Sequence, residues 1–207
     1  MEGLKIANPC GSNGRIAVPL ALLGAEVTVF DISEENKRYA MELSECASVS
    51  IGYEVCDFCK ALDLGYDNCF DIAYAEGGIL HYFHDINRFF YVLYGILKSG
   101  GELILSDFHP FRKVLRTGPT ALTKGDITQG DYFETLVHED DVAYKGFFTE
   151  KEQKDFPSCS LRFYTLSEVI NAVIGAGFTL KEFNEHPHWE DKKLPGEFTI
   201  VAEKQEK

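Results

Sequence analysis

The chain has 207 residues, 45% of them hydrophobic, with 20 Lys and Arg against 33 Asp and Glu and a formal net charge of −13 at pH 7. That length suits a single domain over residues 1–207 with a continuous core. The acidity excludes a nucleic-acid substrate, because affinity for a phosphate backbone comes mostly from Lys and Arg. No run of about 18 apolar residues offers a membrane span, and Met1-Glu2-Gly3-Leu4-Lys5 lacks the charged and apolar regions of a signal peptide, so a soluble, cytoplasmic protein is expected.

Residues 4–7 read as a buried strand, followed by the tight turn Asn8-Pro9-Cys10-Gly11-Ser12-Asn13-Gly14, a helix near 15–23, and a strand over 26–30 that stops on Asp31. This order is a nucleotide-cofactor half-site. The turn presents backbone N–H groups and a helix N-terminus to a polar ligand, and an acid at the end of the next strand can accept from both hydroxyls of a ribose. The turn carries no G-x-G-x-x-G, so it favours an adenosine cofactor more clearly than it names one. Pro19 predicts that the first helix starts late or bends. Ser33 as N-cap with Glu34 and Glu35 behind it predicts a helix over 33–46, and strands follow at 53–56 and 70–75. A helix over 85–97 then leads into a strand over 102–106, with Lys98-Ser99-Gly100-Gly101 as stop and turn. Such alternation builds a parallel sheet covered on both faces. The six cysteines read as reduced thiols, and Cys56-Asp57-Phe58-Cys59 has no second pair at metal-ligand spacing, so no metal is expected.

After Asp107 the rhythm breaks. Residues 132–138 and 142–148 read as two strands joined around Glu139-Asp140-Asp141, a β-hairpin inside an insertion over 108–161. It could form a lid over the cofactor mouth or a homodimer contact, and both readings stay open. A helical pattern resumes at Thr165 and closes at Gly175-Ala176-Gly177, and strands at 178–183 and 197–202 are joined by a link without a helical pattern, which most easily joins antiparallel neighbours. The expected fold is α/β: a Rossmann-like three-layer sandwich with a mostly parallel seven-stranded sheet, a reversed final strand, and a β-rich insertion after the fifth strand.

In that order, Ile6 through Gly14, Val29-Phe30-Asp31-Ile32-Ser33, Cys56-Asp57-Phe58, Phe70 through His81, and Leu97-Lys98-Ser99-Gly100-Gly101-Glu102 resemble the corresponding segments of class I S-adenosylmethionine-dependent methyltransferases of the small-molecule type. The resemblance covers roughly the whole chain and implies S-adenosylmethionine as cofactor. It implies that Gly11, Ser12 and Gly14 approach the methionine part, Asp31 the ribose, and Asp57 with Phe58 the adenine, with Asn8, Asn13, Ile32, Glu76 and Gly77 completing the site. Two departures stand out. Asn8 occupies a position where relatives carry an acid, so it cannot offset the sulfonium charge, and Cys10 and Ser12 stand where glycines are common.

Methyl transfer from a sulfonium is an in-line displacement, so the protein supplies alignment, desolvation and, for some nucleophiles, a base. His81 and His84, in the loop after the fourth strand, are the candidate catalytic residues. His81, His109 and Arg112 are candidates for the substrate, with Lys113 and Arg116 as further charges for an acidic one. Tyr132, Tyr144, Phe147, Phe148, Tyr164 and Trp189 are candidates to line a small apolar pocket, which favours a small-molecule methyl acceptor. The ordinary readings are that Asp31 caps the following helix, Asp57 sits in a turn, and His84 precedes or caps the next helix. Two rival functions remain: an NAD-dependent oxidoreductase, and a non-catalytic S-adenosylmethionine-binding or assembly protein.

Overall fold

A computed structural model describes residues 1–114, 130–142, 145–154 and 156–205. Its main sheet contains β1 (Lys5–Pro9), β2 (Glu26–Asp31), β3 (Gly52–Val55), β4 (Phe70–Glu76), β5 (Leu97–Phe108), β8 (Phe178–Pro187) and β9 (Pro195–Lys204). A separate two-stranded sheet joins β6 (Val137–Asp141) and β7 (Ser158–Arg162). The order in the main sheet is β3-β2-β1-β4-β5-β9-β8. The strands from β3 to β5 run parallel, and β9 is antiparallel to both of its neighbours. The reversed strand is thus the last in the chain, and β8 forms the edge beyond it.

Strand alternation sorts side chains onto two faces. Ile6, Val27 and Val29 point to one face and meet Ala17 and Val18 of α1 (Ala17–Leu22) and Ala40 of α2 (Glu34–Cys46). Ala7, Phe30, Ala73, Leu103 and Ile200 point to the other, where α3 (Ile86–Ile96) and α5 (Leu166–Gly175) bring Phe89, Leu93, Val169 and Val173. The three-layer arrangement follows from the sequence pattern, because each strand is apolar on both faces and must be covered twice.

The helix starts are fixed by side chains. Ser33 Oγ accepts from Asn36 N at 3.1 Å, Asp85 Oδ1 accepts from Arg88 N at 3.1 Å, and Thr165 with Glu168 forms a reciprocal capping box at α5. α1 begins at Ala17, so Pro19 falls in its first turn, where the missing N–H has no intrahelical partner to lose. Lys98-Ser99-Gly100-Gly101 lies inside β5 rather than before it. The register passes from Phe70↔Leu97 to Ile72↔Glu102, so these residues form an irregular strand entry, with Gly100 at φ 75°.

The expected hairpin is replaced by a different pairing. β6 pairs with β7, His138 opposite Leu161 and Asp140 opposite Cys159. Glu139-Asp140-Asp141, expected as the turn, are strand residues, and Lys145–Phe147 forms a 3-10 turn followed by the short helix α4 (Glu150–Gln153). Acidic residues are tolerated in β6 because that strand lies largely in solvent. Tyr144, Arg116 and the side chains of Lys113 and Phe147 lie outside the described residues. Among the described residues, no helix is long and apolar enough to cross a membrane, and no His, Cys, Asp or Glu cluster has metal-binding geometry.

Candidate active site

The turn after β1 is tight. Cys10 and Ser12 both have φ 51° and Gly14 has φ 78°, left-handed values that cost energy for residues with a side chain. A β-carbon on Gly11 would lie 2.2 Å from Asn8 Oδ1 and 2.8 Å from Val29 Cγ1, so only glycine fits there. Asn8 is 2% exposed; its Nδ2 donates to Tyr74 O at 2.8 Å, while its Oδ1 is buried without a partner. Asn13 is exposed at the tip of the turn.

Three bonds fasten this turn to the next strands. Cys10 N donates to Phe30 O at 2.7 Å, Ser12 N to Asp31 Oδ2 at 3.1 Å, and Tyr53 OH to Ser12 O at 2.8 Å. The other Asp31 oxygen accepts from Ser33 N at 3.0 Å and Asn36 Nδ2 at 3.3 Å. Asp31 therefore ties the turn to the start of α2, whose cap is Ser33 rather than Asp31. A carboxylate offers about four lone-pair sites, so three acceptances leave it room for a ligand hydroxyl. Beside it, Ile32 is 79% exposed, an apolar surface standing next to a carboxylate.

Asp57 N-caps the 3-10 turn Phe58–Lys60 through Cys59 N at 2.9 Å. The Phe58 ring does not stand at the crevice. It is 2% exposed and packs edge-on against Phe30 and Phe89, so the expectation that it meets adenine is corrected for the ring, which the core claims. Glu76 accepts from Tyr74 OH at 2.7 Å and lies 3.5 Å from Arg15 Nη2. Gly77, at φ 98°, donates its N–H to Ser106 O at 3.2 Å.

Beyond Gly77 a cavity of about 320 Å³ opens at the carboxyl ends of β4 and β5, with Leu80, Phe163, Tyr164 and Phe198 among its apolar walls. Its polar walls are His81, Asp107, His109 and Arg112. Asp107 is 4% exposed and holds the loop after β4 in place: Oδ2 accepts from Ile79 N at 2.8 Å and Leu80 N at 2.9 Å, and Oδ1 from Phe108 N at 2.6 Å. Burial outweighs these bonds and pushes its carboxyl up to about 6. The sequence pattern assigns Asp107, just past the strand expected over 102–106, no role; that role depends on a loop 28 positions upstream, which no local pattern reveals.

Burial, reinforced by Arg112, pulls His81 down to about 4, so the imidazole is neutral at physiological pH. Its ring centroid lies 5.9 Å from that of Phe163. His109 accepts from Phe111 N through Nδ1 at 3.1 Å, and its Nε2 lies 3.0 Å from Glu185 Oε1. The Arg112 guanidinium carbon sits 3.8 Å from the Phe108 ring centroid and 4.4 Å from that of Trp189. His81, His109 and Arg112 thus converge on one cavity. His84 does not join them: its Nε2 lies 3.0 Å from Ser160 Oγ and 3.2 Å from Ser160 O, fastening the loop to β7. Of the other aromatic candidates, Tyr164 lines the cavity, Trp189 reaches it through Arg112, Tyr132 OH accepts from Leu166 N at 2.9 Å, and Phe148 packs on Phe156.

The family model of a methyltransferase domain matches residues 9–105. No curated protein matches the chain. Among solved structures, an S-adenosylmethionine-dependent methyltransferase from Mesorhizobium loti is 22% identical, with a TM-score of 0.75 over 98% of this chain and 91% of its own. An S-adenosylmethionine-dependent methyltransferase from Methanosarcina mazei is 20% identical, with a TM-score of 0.68 over 100% and 95%. The 1,6-didemethyltoxoflavin-N1-methyltransferase of Burkholderia thailandensis, solved with 1,6-didemethyltoxoflavin and S-adenosylhomocysteine, is 15% identical, with a TM-score of 0.63 over 99% and 72%. Residues 9–105 thus match the family model of a methyltransferase domain, and the chain as a whole shares the fold of these S-adenosylmethionine-dependent methyltransferases.

Proposed function

We propose that the chain transfers the methyl group of S-adenosylmethionine to a small organic acceptor seated in the cavity beside Phe163 and Tyr164. One observation carries this reading: a single loop links the two half-sites. Glu76 at its start faces Arg15, just past the glycine-containing turn, and Leu80 and His81 at its end line the cavity. A cofactor held at the turn and an acceptor held in the cavity would then meet along residues 76–80.

The residues fit the cofactor. Asn8 Oδ1 is a buried acceptor without a partner, the left-handed turn leaves close-approach space only at glycine, and Asp31 keeps capacity for a ribose hydroxyl beside the exposed Ile32. Asn8, Gly11, Ser12, Asn13, Gly14, Glu76 and Gly77 would hold the amino-acid half, Asp31 and Ile32 the ribose, and Asp57 the adenine edge. When bound, S-adenosylmethionine supplies an electrophilic methyl group on a sulfonium. The chain itself supplies alignment and dryness: apolar walls exclude water, and the neutral His81 imidazole keeps a lone pair for the proton of an acceptor hydroxyl or amine.

The test is calorimetric titration with S-adenosylmethionine, S-adenosylhomocysteine and NAD. The first two should bind and NAD should not, and Asp31→Ala should weaken binding by at least about tenfold, the worth of a lost charge-assisted hydrogen bond. Binding of NAD alone would refute the reading, as would an Asp31→Ala variant with unchanged affinity refute the placement of the ribose.

A further inference from the structure

Among the described residues, no carboxylate is paired with the Arg112 guanidinium. Arg112 stands in the 3-10 turn Pro110–Val114, and its Nη1 is shut off from solvent without an acceptor. The rings of Phe108 and Trp189 attract the cation, but aromatic faces leave guanidinium N–H donors without the oxygen they need. The carboxylate that shares the cavity wall is already engaged, since Asp107 accepts from three backbone N–H groups. Glu197 and, less strongly, Asp107 favour the charged guanidinium, but among the described residues no carboxylate forms an ion pair with it. Of the two histidines in the cavity wall, His81 is held neutral by burial and by Arg112 itself, and His109 turns its Nε2 to Glu185.

A partly desolvated guanidinium with a buried, unmet donor is costly, and it faces a cavity whose remaining walls are mostly apolar and aromatic. We infer that the methyl acceptor is a small planar organic acid whose carboxylate is taken by Arg112, its body lying against Phe163, Tyr164 and Phe198. The fork of a guanidinium matches the two oxygens of a carboxylate in one plane. A neutral acceptor without an oxygen for Nη1 would fill the same space and leave that buried donor unmet. A volume of about 320 Å³ sits at the small end of ligand sites and suits a one- or two-ring molecule rather than a macromolecular side chain with its backbone. The inference rests on the methyltransfer reading for the word acceptor alone; the anion site stands on Arg112 and the cavity.

The chain has a single tryptophan, and Trp189 lies against Arg112, so its fluorescence reports on the site without any turnover. Benzoate, 4-hydroxybenzoate and 4-hydroxycinnamate are titrated against the full chain by Trp189 quenching and by calorimetry, each beside its uncharged amide, in the presence of S-adenosylhomocysteine. At least one acid should bind saturably, and its amide at least about tenfold more weakly. Arg112→Gln should abolish that preference, Arg112→Lys should keep part of it, and neither should alter affinity for S-adenosylhomocysteine. The inference is overturned if no acid binds, if each acid and its amide bind within about twofold, or if Arg112→Gln retains the preference. The comparison of acid with amide needs no variant, so misfolding of Arg112→Gln would not rescue it. Failure of S-adenosylhomocysteine to bind would instead remove the methyltransferase reading, leaving the acid preference to be judged on Trp189.

Discussion

Removing the carboxylate of Asp107 tests how the loop after β4 is held. Three backbone donors, two of them fully buried, converge on this side chain, from Ile79 at 2.8 Å, Leu80 at 2.9 Å and Phe108 at 2.6 Å. Each donor left without an acceptor costs roughly 1–3 kcal/mol, so Asp107→Ala forfeits about 6 kcal/mol. Against that stands the charge itself. A carboxyl raised from 3.8 to about 6 carries a cost of about 3 kcal/mol for being ionised in the folded state at neutral pH, at about 1.36 kcal/mol per unit. The net expectation is destabilisation by about 3 kcal/mol at pH 7, read by urea unfolding. The pH dependence provides a second signature with a definite sign. Because the folded-state value lies above the unfolded one, the folded protein binds the extra proton between 3.8 and about 6. The charge penalty is therefore absent below that window and complete above it. Relative to Asp107→Asn, which does not titrate, the wild type should lose about 3 kcal/mol as pH rises across it. An Asp107→Ala variant within about 1 kcal/mol of wild type, or a wild-type-to-Asn difference that is flat with pH, would refute the argument.

Gly78→Ala should destabilise well beyond the roughly 1–2 kcal/mol of a left-handed residue, because φ is 76° and the new β-carbon would lie 2.2 Å from Phe108 Cε2; Gly65→Ala, at φ 88° with nothing within 4 Å, should show the backbone cost alone. Equal thermal shifts for the two would remove Phe108 from the explanation. Thr165→Ala removes the side-chain arm of the α5 capping box, leaving the backbone N–H of residue 165 to Glu168, and should cost about 1 kcal/mol in urea unfolding. With an acceptor in hand, the limb of kcat/KM that reports His81 should fall near pH 4, because activity needs the neutral ring and burial lowers its pKa to about 4; a limb near 6.5 that disappears in His81→Asn would contradict this. Burial, with Asp31 adding to it, pushes the Cys10 thiol up, while Cys46 is exposed. Iodoacetamide followed by peptide mass mapping should modify Cys46 first and Cys10 last.

The local parts of this fold were legible because the residues that decide them are close in sequence. Ser33, Asp85 and the Gly175-Ala176-Gly177 stop act within a turn of their own helices, and the period-2 and helical patterns sort the strands to two covered faces. Pro19 was legible as a late start for the same reason. What escaped depends on distant partners. β6 selects β7 across α4, so the acidic run Glu139-Asp140-Asp141 looked like a turn when judged by composition. Phe58 was expected at a ligand because it follows Asp57, yet Phe30 and Phe89 draw its ring inward. The grouping of His81, His109 and Arg112 was foreseen from their places beyond the fourth and fifth strands. That Trp189 would lie against Arg112, and that Asp107 would secure the loop between the half-sites, required the sheet to close first.

The place of β9 between β5 and β8 has a consequence for how the chain comes off the ribosome. Every strand from β1 to β5 can take its position in order of synthesis, but the inner flank of β5 waits for the last strand made. Until Pro195–Lys204 emerges, the N–H and C=O groups from Glu102 to Phe108 that face away from β4 have no ladder partner, and β8 has nothing to pair with in the main sheet. An open edge of that length beside Leu103 and Leu105 is a template for the edge of another nascent chain. The same arrangement lets a single late event lock the cavity floor, since Phe198 arrives with β9 and completes the wall against which Arg112 and His109 are set.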